Sequence, residues 1–600
     1  MVTRLRIGGV MLAALLVLLN CLTVKAEVAL PTVTWHLFQP KYAELGELGG
    51  EVTSEEAFIS VPQDYFGETT SRMDVRVRRY RQESSQLEPS ASGHSKSVWL
   101  IPGGPGQHSN DVEYEISLYL SIFPPGTTLY LMDHRGTGKS AKIVSSKRQE
   151  WCLENLEECA KESAVPWKYF SPNNAAMDFV LTTQAINASK DQDWYLYGAS
   201  YGALLVTNIH KLSPKLFKGI IADSWTPELR PEPSLSNDIR QHIASNCSNS
   251  EDCSKWIESS KIPQLIGEIL NNENQCSDSF FYSLKRILGI QLKSMPRSLK
   301  ARAIRLLIRT ILLTTIGRQP QASVLAFLKS TCECKDIGGY NGAVNTLLRG
   351  LYGRAAEGNQ SRVERIAGWL DRSKNSFTSS TPLLDDDIFA DDFLLSKKAL
   401  KRRNSRVLFE LMMVSEQTAS DFKACFTRSE VESKFLDVCD IRAIDLSQHM
   451  RWNSLRYNPQ QIIQNEESST RYILLATKID TQTPYERAQE AFDEVKAKEK
   501  FMFVYDGMPH VVFARDSPCD PLIVQMLFGD GEDTELKLRQ CIRKHDSDKA
   551  ITRKGVHPLL LRLWDQHDRS HITTWLKMFG YLSVSVMIPV AHAITIAIRK

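Results

Sequence analysis

The sequence predicts an α/β fold, in which a mostly parallel β-sheet is flanked by helices and interrupted by a large, mostly helical insertion. Short apolar runs rich in β-branched and aromatic residues recur, and most are followed by a glycine-containing turn and a helix-like segment. Hydrophobic strands alternating with helices are typical of a parallel sheet covered on both faces. A long stretch of helical periodicity separates the fourth of these strands from the fifth, which predicts the insertion.

The predicted elements form two blocks on either side of that insertion. An antiparallel hairpin is predicted over residues 57–81. Four segments follow, each of which begins with a predicted strand: 97–106, 127–138, 193–202 and 218–224. After the insertion the same pattern returns at 471–480 and 500–510. We therefore predict a core domain in two parts, at 27–224 and 467–545. A helical cap at 225–466 separates the two parts, and a linker or helix at 546–577 follows the second.

Composition limits the classes of partner. The 600 residues are 42% hydrophobic and 24% charged, enough for one large domain with an insertion or for two domains. The net charge of +3 is small for this length, so no nucleic-acid partner is expected from a long-range field. The dense basic run Lys397–Arg403 is interpreted as a solvated helix face.

The N-terminus has the pattern of a secretory signal. Arg4 and Arg6 precede an apolar stretch, Val10–Leu19, and a small-residue exit that ends at Ala26. We expect residues 1–26 to be removed near Ala26. The mature protein is then extracellular, or membrane-anchored with its catalytic domain on the luminal or extracellular side.

Cysteine usage agrees with an oxidising compartment. Of the 12 cysteines, Cys21 lies in the signal, so 11 remain and at least one cannot pair within the chain. The spacing favours three bridges, which would join Cys152 to Cys159, Cys247 to Cys253 and Cys519 to Cys541. Glycosylation sequons begin at Asn187, Asn246 and Asn359. No cysteine or histidine cluster has zinc-ligand spacing, and we expect neither a metal nor a cofactor.

The C-terminus permits two main interpretations, while a third, a processed lipid-anchor signal, is disfavoured because its tail would rarely end in two cations. Residues 578–598 contain no Asp, Glu, Lys or Arg and precede Arg599 and Lys600. As a helix this stretch would extend roughly 31 Å, about the thickness of a bilayer core. A membrane span with cytosolic basic residues is therefore expected. Pro589, His592 and two serines instead favour a buried or amphipathic helix.

Ser200 is the candidate nucleophile. Gly198, Ser200 and Gly202 form a Gly-x-Ser-x-Gly pattern between an apolar strand and a helix-like segment, which is the context of a serine raised on a strand-to-helix turn. A serine hydroxyl needs a base within hydrogen-bond reach and a group that orients this base. The alternative is a close-packing turn with an incidental serine.

Asp480 and His510 are the candidate partners of Ser200. Asp480 follows the run YILLATKI, and His510 follows FMFVYDG by a short turn, so each lies just beyond a predicted strand. Functional groups gather at the carboxyl ends of parallel strands, and the chain order Ser, Asp, His fits this architecture. The alternatives are a turn-capping role for Asp480 and a surface position for His510.

A glycine-rich loop supplies a candidate oxyanion hole. PGGPG at residues 102–106 ends the first strand of the series, where Gly103 or Gly104 could donate one N–H and Tyr201 the other. DHRGTGKS resembles a phosphate-binding loop, but Asp133 stands where that motif requires glycine. We interpret Asp133, Arg135 and Gly136 as a turn that braces the active-site end of the sheet.

These motifs in this order resemble the prolyl aminopeptidase and tripeptidyl aminopeptidase-like serine peptidases, which have the α/β-hydrolase fold and a helical cap. The resemblance extends from about Val52 to about Cys541 and rests on VPQDY, GGPG, DHRGTGKS, GASYG, the late Asp followed by TP, and the histidine followed by SPC. It departs from the family at Pro102, where members often have histidine, and in the segment after Asp480, DTQTP instead of Asp-Pro-x-Thr-Pro.

The resemblance implies Ser200 as nucleophile, Asp480 as orienting acid and His510 as general base. It also implies hydrolysis near the N-terminus of peptides, with acidic groups that hold the free amine, for which Glu228 and Glu232 are only weak candidates. The predicted function is an exopeptidase. An esterase or lipase on the same fold is the runner-up, since fold does not fix substrate. A binding protein that kept a hydrolase scaffold is the alternative outside the enzyme class.

Overall fold

The structure, a computed structural model, describes residues 30–40, 52–82, 94–225 and 466–548 with short gaps inside these ranges. It also describes scattered positions between 241 and 264 and between 405 and 464. Several predictions concern residues outside the described ones: the signal at 1–26, most of the cap, the sequons at Asn246 and Asn359, the basic run Lys397–Arg403, Glu228, Glu232 and the segments 549–577 and 578–598. Among the residues that are described, no helix is long and apolar enough to cross a bilayer.

One nine-stranded sheet organises the described chain. Its strands are β1 (His36–Leu37), β2 (Val52–Pro62), β3 (Arg72–Gln82), β4 (Ser95–Ile101), β5 (Thr128–Asp133), β6 (Gln192–Ala199), β7 (Gly219–Asp223), β8 (Ser468–Thr477) and β9 (Ala497–Tyr505). Their order in the sheet is β1-β2-β3-β5-β4-β6-β7-β8-β9. β2 and β3 form the predicted antiparallel hairpin, while β4 to β9 run parallel to one another. The two-residue β1 was not predicted.

Helices cover both faces of the sheet. The helices of the described residues are α1 (Ser109–Glu113), α2 (Ile116–Ile122), α3 (Leu156–Lys161), α4 (Pro172–Ile186), α5 (Tyr201–Leu212), α6 (Glu251–Ser254), α7 (Tyr485–Glu494), α8 (Asp520–Phe528) and α9 (Thr534–Asp548), with 3₁₀ turns at Trp167–Tyr169 and Ser259–Lys261. Local sequence accounts for several ends. Pro172 opens α4, where the Ser171 hydroxyl accepts the Asn174 N–H, and Gly529 closes α8 in the left-handed region with φ 77°.

Successive side chains of a strand point to opposite faces of the sheet, so the core forms two layers. One layer places α4, α5 and α7 against strand residues such as Trp99, Tyr130 and Trp194. The other places α2, α8 and α9 against the strand residues that point the opposite way, such as Leu100 and Leu131. Because both faces are buried, the central strands are almost continuously apolar, which is the pattern that predicted them.

Three disulfides lie among the described residues, and all three pairings predicted from spacing are confirmed. They join Cys152 to Cys159, Cys247 to Cys253 and Cys519 to Cys541. The last of these links the beginning of α8 to α9. The compartment in which they form remains a prediction.

A hairpin leading into six parallel strands, helices on both faces and a serine on a tight strand-to-helix turn together make the α/β-hydrolase fold. The fold class predicted from the sequence is therefore confirmed.

Candidate active site

Ser200 lies on a strained turn between β6 and α5. Its backbone angles are φ 56° and ψ −119°, a region that residues with a side chain rarely occupy. The turn is fixed on both sides, since the Ser200 N–H donates to the carbonyl of Asp223 at 2.9 Å and its own carbonyl accepts the Ala203 N–H at 2.8 Å. Strain of this kind, held by neighbouring strands, is what the turn of a raised nucleophile requires.

The two glycines beside Ser200 are required by close packing. A Cβ on Gly198 would approach the Gly202 carbonyl to less than 3.0 Å, and one on Gly202 would do the same with the Ile101 carbonyl. The turn is therefore compressed between its own strand and the neighbouring β4. The Gly-x-Ser-x-Gly pattern reflects steric necessity at both glycines.

Asp480 and His510 are brought together just beyond the ends of β8 and β9. His510 Nδ1 lies 2.7 Å from Asp480 Oδ2, and both side chains are buried. Thr483 orients the carboxylate with two hydrogen bonds, from its N–H at 2.9 Å and its hydroxyl at 2.6 Å. If the Nδ1–H of His510 donates its hydrogen bond to Asp480, then Nε2 is the ring nitrogen left free to act as a base.

The environment keeps Asp480 ionised. Burial alone would raise its pKa, but the charge and hydrogen bond of His510 and the two bonds from Thr483 outweigh burial and hold the pKa below its usual value. A carboxylate that stays charged can stabilise the imidazolium that forms when His510 takes a proton.

The predicted oxyanion loop touches the nucleophile turn. A Cβ on Gly103 would lie 3.0 Å from the Cβ of Ser200, whereas the nearest atoms around Gly104 belong to the backbone of Gly106 and Gln107. Gly103 is thus the glycine placed against Ser200. Tyr201 is the first residue of α5, and N–H groups in the first turn of a helix have no partner within the helix.

The turn after β5 is bonded to the helix that follows the glycine-rich loop. The carboxylate of Asp133 accepts the Ser109 N–H at 3.0 Å and the Lys139 N–H at 2.8 Å, which joins the turn to α1. Arg135 is buried and paired with Asp178 of α4 at 2.6 Å. The DHRGTGKS segment therefore serves as a structural brace.

A short piece of the predicted cap contacts the candidate oxyanion loop and the turn after β5. Ser405 donates its N–H to the Gly106 carbonyl at 3.1 Å, and the Leu408 side chain packs against Gly136. Leu408 is fully buried, as are the described apolar positions that follow it, Leu411 and Met412. Residues from the insertion thus reach the active-site edge of the sheet.

The sheet collects the candidate residues at one edge, because Ser200, Asp480 and His510 all follow parallel strands. Sequence reasoning missed Asp223, the last residue of β7, and Ser224, which follows it; β7 lies between the strands that precede Ser200 and Asp480. The signal that pointed to Asp480, a polar residue directly after a buried strand, was also present in GIIADS. Within the described part of the chain, no group of His, Cys, Asp or Glu has the arrangement of a metal site.

No family model matches the chain, and no curated protein sequence matches it. The similar solved structures include a proline iminopeptidase from Mycobacterium smegmatis, at 10% identity and TM-score 0.30, covering 82% of this chain and 99% of that one. A peroxisomal alpha/beta-hydrolase from Saccharomyces cerevisiae is 10% identical at TM-score 0.31, covering 88% and 97%. An esterase from Exiguobacterium antarcticum is 11% identical at TM-score 0.24, covering 73% and 89%. The fold assignment rests on the strand order and on the turn at Ser200.

Proposed function

We propose that this protein is a serine hydrolase in which Ser200, His510 and Asp480 form the catalytic triad. The observation that carries the proposal is the 2.7 Å contact between His510 and Asp480 at the same sheet edge as the strained turn of Ser200. A binding protein would need neither a strained serine nor an oriented, buried His–Asp pair. Strain and buried charge both lower stability, and catalysis explains why they are present.

The mechanism follows from the chemistry of the three groups. Ser200 Oγ attacks the scissile carbonyl while His510 Nε2 takes its proton, and Asp480 stabilises the resulting imidazolium. The N–H groups of Gly103 and Tyr201 would bind the oxyanion of the tetrahedral intermediate. His510 then protonates the leaving group, and water hydrolyses the acyl-enzyme by the same steps in reverse.

Peptides are the proposed substrate class, with cleavage near a free N-terminus. Support comes from the resemblance of GGPG, GASYG and the late Asp and His motifs to aminopeptidases of this fold. The cap segment at Ser405 and Leu408, which lies on the oxyanion loop, is in a position to limit access to short or terminal substrates. An esterase would use the same triad.

Paired substrates test this proposal. Purified protein is incubated with a peptide library in which each sequence has a free or an acetylated N-terminus, alongside p-nitrophenyl esters, and the products are identified by mass spectrometry. We expect short N-terminal fragments from free peptides only, and no product with Ser200→Ala. Cleavage of esters alone would identify an esterase. No turnover of either class by folded protein would contradict the proposed hydrolase.

We also propose that the protein is exported and that the C-terminal segment 578–598 anchors it to a membrane. The three disulfides and the signal-like N-terminus support export. Membrane partitioning of the full chain, compared with a chain truncated before Met578, tests the anchor.

A further inference from the structure

The loop that carries His510 has an unfavourable backbone. Val511 has φ 66° and Ala514 has φ 57°, both in the left-handed region. For a β-branched residue such as Val511 this conformation is a true outlier, since its side chain crowds the backbone. Such residues keep their conformation only when surrounding contacts determine it. The loop must therefore be held from outside.

Two consecutive residues at the end of β7 provide those contacts. The Ser224 hydroxyl accepts the Val511 N–H at 2.7 Å. The Asp223 carboxylate accepts the Val512 N–H at 3.1 Å and the Phe513 N–H at 2.9 Å. The three N–H groups that follow His510 thus all donate to Asp223 or Ser224.

The same two residues are also bonded to the segments that carry the other two triad members. The Asp223 carbonyl accepts the Ser200 N–H at 2.9 Å. The Ser224 N–H donates to the Leu475 carbonyl at 2.9 Å, in the strand that precedes Asp480. Asp223 and Ser224 are therefore a single short segment that contacts all three parts of the proposed triad.

Burying the carboxylate of Asp223 to support the loop carries a large desolvation cost. It is fully buried, and its hydrogen-bond partners among the described residues are main-chain N–H groups and the hydroxyls of Tyr197 and Ser224, with no arginine or lysine. Burial raises its pKa, against the two backbone bonds and the nearby charge of His510. Because both carboxylate oxygens accept hydrogen bonds, an amide at this position would turn its NH₂ group, a donor, toward other donors.

We propose that Asp223 and Ser224 are positioning residues, which hold the strained His510 loop in register with Ser200 and Asp480. The inference rests on the proposed function and extends it to two residues outside the triad. Neither residue is assigned contact with substrate. Their effect is on where the imidazole of His510 stands relative to the Ser200 hydroxyl.

The test is the kinetics of Ser200 phosphonylation by a small fluorophosphonate, measured with the full chain. Three quantities are followed: the labelled fraction at completion, the maximal rate constant and the half-saturating reagent concentration. The variants are Asp223→Asn and Ser224→Ala. The matched control is Ser468→Ala, because Ser468 is also buried and its hydroxyl accepts a main-chain N–H, from Thr470 at 2.8 Å, but at the opposite end of β8.

A displaced imidazole lowers the rate constant, whereas simple destabilisation lowers only the fraction that reacts. We expect a maximal rate about 10- to 100-fold lower for Asp223→Asn, the range that a misplacement near 1 Å produces. Ser224→Ala should react several-fold more slowly and Ser468→Ala at the wild-type rate. The labelled fraction and the half-saturating concentration should stay unchanged in variants that fold.

Two contrary outcomes are distinguishable. If wild type reacts and both folded variants match its rate constant, the positioning role is overturned while the proposed hydrolase stands. If folded wild type does not react at all, the proposed function fails and the positioning role fails with it. If Asp223→Asn does not fold, the rate constant of Ser224→Ala decides whether the positioning role holds, because this variant removes only the hydroxyl that accepts the Val511 N–H.

Discussion

The imidazole of His510 is held by Asp480 through a 2.7 Å contact between Nδ1 and Oδ2, and the Thr483 hydroxyl donates to the same carboxylate oxygen at 2.6 Å. This arrangement leaves Nε2 as the free base and places an ionised carboxylate behind it. Loss of the charge should therefore affect chemistry far more than folding.

Asp480→Asn should lower kcat by about 10⁴-fold, because an amide favours the wrong histidine tautomer and cannot stabilise the imidazolium. The protein should stay folded, as judged by circular dichroism and Tm. Thr483→Val, which removes one hydrogen bond but no charge, should lose less activity. A variant Asp480→Asn that keeps a tenth or more of wild-type kcat would count against the assigned role.

Gly198→Ala and Gly202→Ala should each destabilise the protein by about 2–3 kcal/mol, because the added methyl groups meet main-chain carbonyl oxygens, of Gly202 in α5 and of Ile101 in β4 respectively. The matched control is Gly67→Ala. Nothing lies within 4 Å of that position, so only its φ of 101° opposes the change and the loss should be nearer 1 kcal/mol. The free energy of unfolding is measured by urea titration. Equal losses at all three sites would contradict a compressed turn.

The disulfide between Cys519 and Cys541 should stabilise more than the other two, because it spans 22 residues against 7 for Cys152–Cys159 and 6 for Cys247–Cys253. Chain entropy gives about 3 kcal/mol for the long loop and about 2 kcal/mol for the short ones. Replacing each pair by serines and comparing Tm under non-reducing conditions tests the order. A smaller loss at Cys519 and Cys541 than at either short loop would contradict it.

Stability should fall as the pH drops from about 7 to 5, because burial lowers the pKa of His134 and of His210 to about 4. Below a pKa near 6.5 the unfolded chain binds protons that the folded chain does not, so each histidine removes about 2 kcal/mol by pH 5. His210→Gln should therefore flatten the dependence. The control is His36→Gln, which replaces a histidine at an exposed position. Urea unfolding at several pH values gives the slopes, and equal slopes for His210→Gln and wild type would contradict the prediction.

Much of the fold followed from local sequence, because its strands are buried on both faces and therefore show as continuous apolar runs. The positions of Ser200, Asp480 and His510 could be predicted for the same reason: each comes shortly after such a run, and a parallel sheet gathers these ends at one edge.

What could not be predicted depends on contacts between distant parts of the chain. The link from Asp223 to Val512 joins residues 289 positions apart, and nothing near either one marks the pairing. The pairing of Arg135 with Asp178 and the contact of Ser405 with Gly106 are similar cases. The sequence could not distinguish Gly103 from Gly104 as the glycine next to Ser200, because the two are adjacent in one loop and the contact that distinguishes Gly103 is with a distant residue.

The most direct test of the central claim, that Ser200 is an activated nucleophile, is to label the protein with a fluorophosphonate and map the modified residue by mass spectrometry. The predicted result is a single phosphonyl group on Ser200, absent in Ser200→Ala and formed much more slowly in His510→Ala. Folded wild-type protein that remains unlabelled, or a Ser200→Ala variant that labels equally, would contradict it.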